Sequence, residues 1–342
     1  MTAPSLEIVP GEAWDGVLTE RGLTDVFLRH GYLRASAILD EGDPTLLLLR
    51  SEGGSGVVFP LLVREVPGEP ELHDAITPYG FGGPIGFGDR PPWEDFHVAY
   101  ERWCAEQAVI TTFVRFHPLY ANAAAASPSM DLVPLSGVVG WRLEPDADLM
   151  AGINSKHRRK IRAAERAGLT FVRDEEPGGG ERLATLRRLY EETMVRNGAS
   201  SYYFFPDAYW EILRTELGPA QFVAEVLGPD GDVMATALCF AAAPWAHCHI
   251  QASSEAGRGA SATFLLFSEL ARSLQEQGYR IFNIGGGVGG ADDGLLRFKL
   301  GFDHDGLLPV AVGKRIHDPV AYERLTGRRD TDGFFPAYRS PH

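Results

Sequence analysis

The sequence predicts an α/β protein of the α+β kind, built as two similar lobes, each a mixed, mostly antiparallel sheet flanked by helices. Three observations lead there. The chain has 342 residues, enough for about two domains of common size. Turn residues cut it into short strand-like and helix-like stretches that alternate. The order of those stretches in the second half, β-αα-βββ-α-β-α-β, is repeated loosely in the first.

The second half reads most clearly. Leu169–Arg173 is a strand. Glu181–Arg196 carries apolar residues at Leu183, Leu186, Leu189, Tyr190 and Met194, close to a helical period. Pro206 opens a further helix to Leu217. Strands follow at Gln221–Leu227, Val233–Ala242 and Ala246–Ala252, the first two joined by the turn Gly228-Pro229-Asp230-Gly231. A helix over Ala262–Gln277 ends at Gly278, a residue suited to a left-handed helix stop. A strand Tyr279–Ile284, a glycine-rich loop, a short helix Gly294–Phe302 and a last strand Leu308–Lys314 complete the lobe. In the first half, Leu6–Val9 and Gly22–Gly31 read as strand and helix, Thr45–Arg50 and Gly56–Val66 as strands, Trp93–Ala108 as a helix and Thr111–Phe116 as a strand. Val138–Leu143 is its expected final strand. The lobes are expected at 1–145 and 146–316, with a tail at 317–342 and a linking helix at Leu149–Gly168.

Composition narrows the function classes. The chain is 44% hydrophobic and 23% charged, ordinary for a folded protein. Three cysteines, Cys104, Cys239 and Cys248, have no CxxC spacing, which argues against a disulfide framework and for a reducing compartment. The first residues lack a basic start followed by an apolar stretch, so no leader is read. The richest apolar stretch, Ala235–Ala246, is interrupted by Thr236 and Pro244 and falls short of the roughly 20 residues that span a bilayer. A cytoplasmic location is expected. The net charge of −14 repels nucleic acid at long range, so any RNA contact must come from a local basic patch.

Four segments carry a family resemblance: Thr77-Pro78-Tyr79-Gly80-Phe81-Gly82-Gly83-Pro84; Ser155-Lys156-His157-Arg158-Arg159-Lys160-Ile161-Arg162; Gly278-Tyr279-Arg280-Ile281-Phe282-Asn283-Ile284-Gly285-Gly286; and Gly294-Leu295-Leu296-Arg297-Phe298-Lys299-Leu300-Gly301-Phe302. Together with the element order, which is that of the GNAT acyltransferase fold, they resemble the FemABX family over about Leu46 to Lys314. The resemblance implies a tandem GNAT fold and amide bond formation with aminoacyl-tRNA as co-substrate. It implies an amine-bearing acceptor, a peptidoglycan precursor or a small molecule. No coiled-coil arm of the kind some members carry is present. An activated ester needs neither ATP nor metal, so no cofactor and no metal site are expected.

Aminolysis of an ester passes through a tetrahedral oxyanion, which a fixed ammonium stabilises. The family's functional lysine in a Phe-Lys-x-Gly-Phe pattern matches Lys299; the plain alternative is a solvated lysine near a helix end. Leu295, Phe298 and Phe302 are the expected apolar stripe of that helix. Arg297, Phe298, Tyr79, His249 and Asn283 are the expected substrate-binding residues. The segment 155–166 holds six cations, Lys156, Arg158, Arg159, Lys160, Arg162 and Arg166, against Glu165. Lys156, Arg158, Arg159 and Arg162 are expected to bind phosphate, of tRNA or of a nucleotide-linked acceptor; a solvated helix face is the alternative.

Weaker signals stay open. Gly285-Gly286-Gly287-Val288-Gly289-Gly290 fits GxGxxG, but Asp292 and Asp293 oppose a pyrophosphate there, and a close-approach loop or plain turn is preferred. His247 and His249 alternate with Cys248 on a strand and lack the further ligands a metal needs. His249, Glu255, Asp292 and Asp293 are candidate bases. Gly257-Arg258-Gly259-Ala260 does not fit the pyrophosphate loop of acyl-CoA-using GNAT enzymes. Acyl-CoA as donor, and a non-catalytic binding protein on the same fold, are the rival readings.

Overall fold

The computed structural model describes residues 5–51, 53–126, 128–174 and 180–340. Residues 1–4, part of the segment searched for a leader, lie outside them. In chain order come β1 (Glu7–Val9), α1 (Gly11–Thr19), α2 (His30–Asp40), β2 (Asp43–Arg50), β3 (Gly56–Val66), β4 (Glu69–Ile76), β5 (Ile85–Phe87), α3 (Trp93–Glu106), β6 (Val109–Arg115), α4 (Ala123–Ala126) and β7 (Asp131–Arg142). There follow α5 (Leu149–Gly152), α6 (Ser155–Arg166), β8 (Thr170–Arg173), α7 (Gly180–Arg196), α8 (Asp207–Glu216), β9 (Gln221–Leu227), β10 (Val233–Ala242), β11 (Trp245–Ser253), α9 (Glu255–Gly259), α10 (Ala262–Glu276), β12 (Ile281–Gly286), α11 (Gly294–Leu300), β13 (Leu307–Ile316) and α12 (Pro319–Thr326). Among the described residues no helix is long and apolar enough to cross a membrane.

The chain divides into two compact units. One comprises residues 1–135 and 309–342, the other residues 136–308. This differs from a boundary near Pro145 with a separate tail. The reason is strand pairing. β13 pairs antiparallel with β6, from Val312↔Arg115 to Ile316↔Thr111, and so closes the first unit's sheet. β7 pairs antiparallel with β12, from Ile281↔Arg142 to Gly286↔Val138, and so belongs to the second. The two final strands are thus exchanged relative to the sequence expectation.

Within the first unit the strand order is β1-β2-β3-β4-β6-β13, with β5 also on β3. Among the described residues β4 and β6 are its one parallel strand pair, and the other strand pairs within it are antiparallel. Period-two alternation sends Leu47, Leu49, Val57, Phe59 and Leu61 to one face, against Phe96, Tyr100 and Trp103 of α3. Leu46, Leu48, Val58 and Leu62 go to the other, against Trp14, Leu18 and Leu33 of α1 and α2. Each such leucine, fully buried, contributes about 1.5–3 kcal/mol.

The second unit repeats the plan, with strand order β7-β12-β11-β10-β9-β8 and β11 parallel to β12. Its main core lies between the sheet and helices α6 and α10, with Ile161, Leu266, Leu270, Phe282 and Phe302 at its centre. The linking helix expected at Leu149–Gly168 is two helices. Ile153 and Asn154 are extended between them, and the Asn154 side chain caps α6 by accepting from His157 N at 2.8 Å.

The C-terminal segment is fastened to the first unit by Asp74 of β4, which is 1% exposed. Its carboxylate takes Arg64 Nε at 2.6 Å, Arg339 Nε at 2.6 Å and the Tyr338 hydroxyl at 3.2 Å. Asp74→Ala is expected to cost about 3–5 kcal/mol, because it leaves the buried Arg64 without its counter-charge. Urea unfolding measures this, and a loss below about 1 kcal/mol, the scale of exposed pairs, would show the network to be dispensable.

Candidate active site

The second unit's parallel pair is short. β11 and β12 align at Trp245↔Ile281, Ala246↔Phe282 and His247↔Asn283, and there the ladder ends. Among the described residues the continuation of β11 to Ser253 pairs with β10 alone. Asn283 accounts for the parting. Its Oδ1 accepts from Gly285 N at 2.9 Å, and its Nδ2 lies 3.2 Å from His247 Nδ1. The backbone turns at Gly285, whose φ of +79° suits glycine, and the register against β7 shifts between Asn283 and Gly286.

Lys299 reaches into this bend. Its Nζ donates to Gly286 O at 2.8 Å. A Cβ on Gly285 would lie 3.0 Å from that Nζ, so the glycine leaves room for the ammonium. Burial pulls Lys299 below the ordinary lysine value, opposed by the nearby Cys248 and Asp293.

Helix α11 is held at both ends. At its start Asp293 accepts from Leu295 N, Leu296 N and Val288 N, each at 2.9 Å, which keeps its carboxyl below the usual range. Asp293 is therefore a cap rather than a free base, and it occupies the helix start that follows the glycine-rich loop. Of the expected stripe, Phe302 is buried and Phe298 packs against the core, whereas Leu295 is 39% exposed and the next residue, Leu296, is buried in its place. At its end the His157 Nε2 of α6 donates to Phe298 O at 2.8 Å. A Cβ on Gly301 would meet His157 Nε2 at 2.3 Å and Asn154 Nδ2 at 2.5 Å, so only glycine lets α6 approach this closely.

The other expected residues scatter around this centre. Phe298 packs among His157, Phe264, Phe267 and Phe302, with ring centroids 5.1–6.1 Å away; it seats the helix instead of facing a substrate. Arg297 lies about 200° around α11 from Lys299, exposed and paired with Asp292 at 3.4 Å. Asn283 shapes the parting itself. His249 stacks on Phe240 at 4.3 Å and meets the Tyr209 hydroxyl at 2.7 Å. Burial, with His247 adding to it, pushes His249 down to about 3, so the ring is neutral and a weak base. Tyr209 was not singled out in the sequence, since its partner stands 40 residues away in β11. In the first unit, Tyr79 accepts at its carbonyl from the Tyr32 hydroxyl. Its loop is pinned by Asn122, which donates to Gly82 O at 2.9 Å and Pro84 O at 3.0 Å.

Basic helix α6 turns His157, Ile161 and Ala164 inward. Lys156, Arg159, Arg162 and Arg166 are exposed. Among the described residues neither these four nor Lys160 pairs with a carboxylate within 4.0 Å. Arg158 differs: its guanidinium donates to the carbonyls of Ile153, Met150 and Ala151, and it staples α5 to α6. Arg258 likewise donates to Ser253 O at 3.1 Å, beside the one-turn helix α9.

Comparison with known proteins agrees with this architecture. A model of the acetyltransferase (GNAT) domain family matches residues 153–299, less than half of the chain. Among solved structures, the chain is similar to FemX (TM-score 0.70, 13% identity, 94% of this chain and 99% of that one). It is similar to L-PGS from Bacillus licheniformis (TM-score 0.56, 18% identity, 94% and 99%). It is also similar to a tandem GNAT protein from the clavulanic acid biosynthesis pathway (TM-score 0.51, 11% identity, 92% and 99%). At these identities the likeness is one of fold. No match was found among curated proteins. The class is thereby defined: a tandem GNAT-fold protein with an acyltransferase-type domain. Within that class its architecture is FemX-like, as the resemblance over Leu46 to Lys314 implies.

The depressed His249 makes stability depend on pH. Its folded value of about 3 lies below the ordinary 6.5, so the unfolded chain takes up the proton first as the pH falls. The contribution is present above 6.5 and lost between 6.5 and about 3. His157 is shifted in the same direction, chiefly by burial. The His249→Gln variant is expected to show a shallower loss of denaturant midpoint over this window than the wild type. Equal slopes would mean that the ring is not held neutral.

Proposed function

We propose that the protein is a FemABX-like aminoacyltransferase, moving an amino acid from aminoacyl-tRNA to the amine of a cell-wall precursor or small natural product. The observation that carries this reading is the half-buried Lys299 ammonium at the parting of β11 and β12. The neutral acceptor nitrogen attacks the ester carbonyl carbon, and a C–N bond forms as the carbonyl oxygen gains negative charge. Lys299 stabilises that oxyanion. Collapse breaks the ester C–O bond, the tRNA ribose hydroxyl leaves, and the amine's proton passes to solvent or a base. The neutral His249, tied to Tyr209, acts as a hydrogen-bonding partner. The exposed cations of α6 bind phosphate, and Arg158 holds that helix in place.

Lys299→Ala is expected to reduce turnover by about 10²-fold or more, the scale seen on losing an oxyanion partner, with a drop in melting temperature no larger than loss of the bond to Gly286 O accounts for, about 1–3 kcal/mol. Wild-type turnover in the folded variant would remove Lys299 from the mechanism.

A second reading, an acyl-CoA donor, is favoured by the match of residues 153–299 to the acetyltransferase domain model. The donor experiment separates the two. With a tRNA donor, transfer in a reconstituted mixture requires tRNA and a synthetase, and ribonuclease abolishes it. Replacing Arg159, Arg162 and Arg166 with Glu is then expected to raise KM for charged tRNA and flatten the salt dependence of binding. Ribonuclease-resistant transfer supported by acetyl-CoA alone would establish the second reading instead.

A further inference from the structure

β10 and β11 place two of the chain's three cysteines directly opposite one another. Cys239 and Cys248 are register partners in an antiparallel pair, and both are free thiols. Residues so paired project from one face of the sheet. Here it is the face that packs on α10, with Cys239 inside the core and Cys248 against its margin. In a regular antiparallel ladder directly opposed Cα atoms stand about 4.5–5.5 Å apart; here the register shifts between Leu238 and Cys239, with His249 as the extra residue beside the pair. That separation lies inside the roughly 4.4–6.8 Å that a disulfide bridges.

The two thiols differ in access. Cys239 is fully buried, whereas Cys248 is partly exposed. Cys248 is also the first residue of β11 beyond the last rung shared with β12. It lies within electrostatic reach of the Lys299 ammonium. The third cysteine, Cys104, is buried in the first unit, 3.6 Å from His317 Nε2, with burial pushing its thiol up. It serves as an internal control.

We propose that Cys239 and Cys248 form an oxidisable dithiol site, converted by a peroxide into a cross-strand disulfide and restored by a thiol reductant. The accessible Cys248 sulfur attacks a peroxide oxygen, the O–O bond breaks, water leaves and a sulfenic acid results. The Cys239 sulfur then attacks the Cys248 sulfur, the S–O bond breaks, and a second water leaves with the Cys239 proton. The thiols lose two electrons and the peroxide gains them. A dithiol reductant reverses the bond by exchange. The bond draws the Cys248 sulfur toward Cys239, shields it from further oxidation and moves it off Lys299. This site follows from strand register alone and does not rest on the transfer reading above.

The test treats the full chain with hydrogen peroxide, then unfolds and alkylates it with iodoacetamide for mass analysis. Alkylatable thiols are expected to fall from three to one, Cys104 remaining. The chain loses two hydrogens, a cross-linked peptide joins residues 239 and 248, and dithiothreitol restores all three thiols. In Cys239→Ala, Cys248 is expected to gain oxygen instead; Cys239→Val serves if the alanine variant fails to fold. Wild-type protein in which Cys248 gains oxygen while Cys239 stays alkylatable would overturn the proposal. So would a disulfide between two chains, or intact thiols at a peroxide dose that oxidises the Cys239 variant.

Discussion

Two parallel strands that part after three rungs set the terms for the rest of the second unit. Backbone N–H and C=O groups need partners, and along the parted edges of β11 and β12 the ladder no longer supplies them. The Asn283 side chain takes over one donor, at Gly285, and the Lys299 ammonium occupies one acceptor, at Gly286. A lysine half-withdrawn from water is costly unless its charge is met. The Gly286 carbonyl and the neighbouring Asp293 meet it, and Asp293 is itself fixed by three backbone N–H groups. The parting, the cap and the lysine therefore form one unit of structure.

The basic helix is joined to that unit mechanically. His157 is nearly buried in α6 and donates to the Phe298 carbonyl, one residue before Lys299. Gly301 admits α6 so closely that any side chain there would strike His157 or Asn154. A helix whose exposed face carries cations with no carboxylate partner among the described residues is thus packed against the helix carrying the ammonium. In a chain of net charge −14, that face stands out locally while the molecule repels polyanions at a distance.

Local chemistry made much of this legible in the sequence. β3 runs over Gly56–Val66, the bounds expected from its apolar run, and α10 stops just short of Gly278, which takes a φ of +86°. What depended on distant partners was not legible. Val138–Leu143 and Leu308–Lys314 are both plausible closing strands for either sheet, and only tertiary pairing assigns β13 to β6 and β7 to β12. Gly152 and the Asn154 cap mark the break between α5 and α6, which the expectation of one helix over Leu149–Gly168 passed over. Lys299 was reached through a family pattern; spacing alone allowed a solvated lysine. The engagement of Arg158 with backbone carbonyls, and of Tyr209 with His249, has no signature in one dimension.

The internal repeat also shows where the two units differ. Each sheet holds one parallel pair bridged by a helix, β4 with β6 across α3 and β11 with β12 across α10. In the first unit pairing runs from His73↔Val109 to Ile76↔Phe113 and then continues. Thr77 N donates to Phe113 O at 3.1 Å, Gly82 N to Arg115 O at 2.8 Å, and His117 N to Gly82 O at 3.1 Å. The loop carrying Tyr79 thus satisfies the edge of β6 that lies beyond the end of β4. No chain segment among the described residues pairs the corresponding stretch of β11 on its β12 side. An edge that the protein's own loop extends in one lobe has no such strand pairing among the described residues in the other, and that is the edge beside which Lys299 is held.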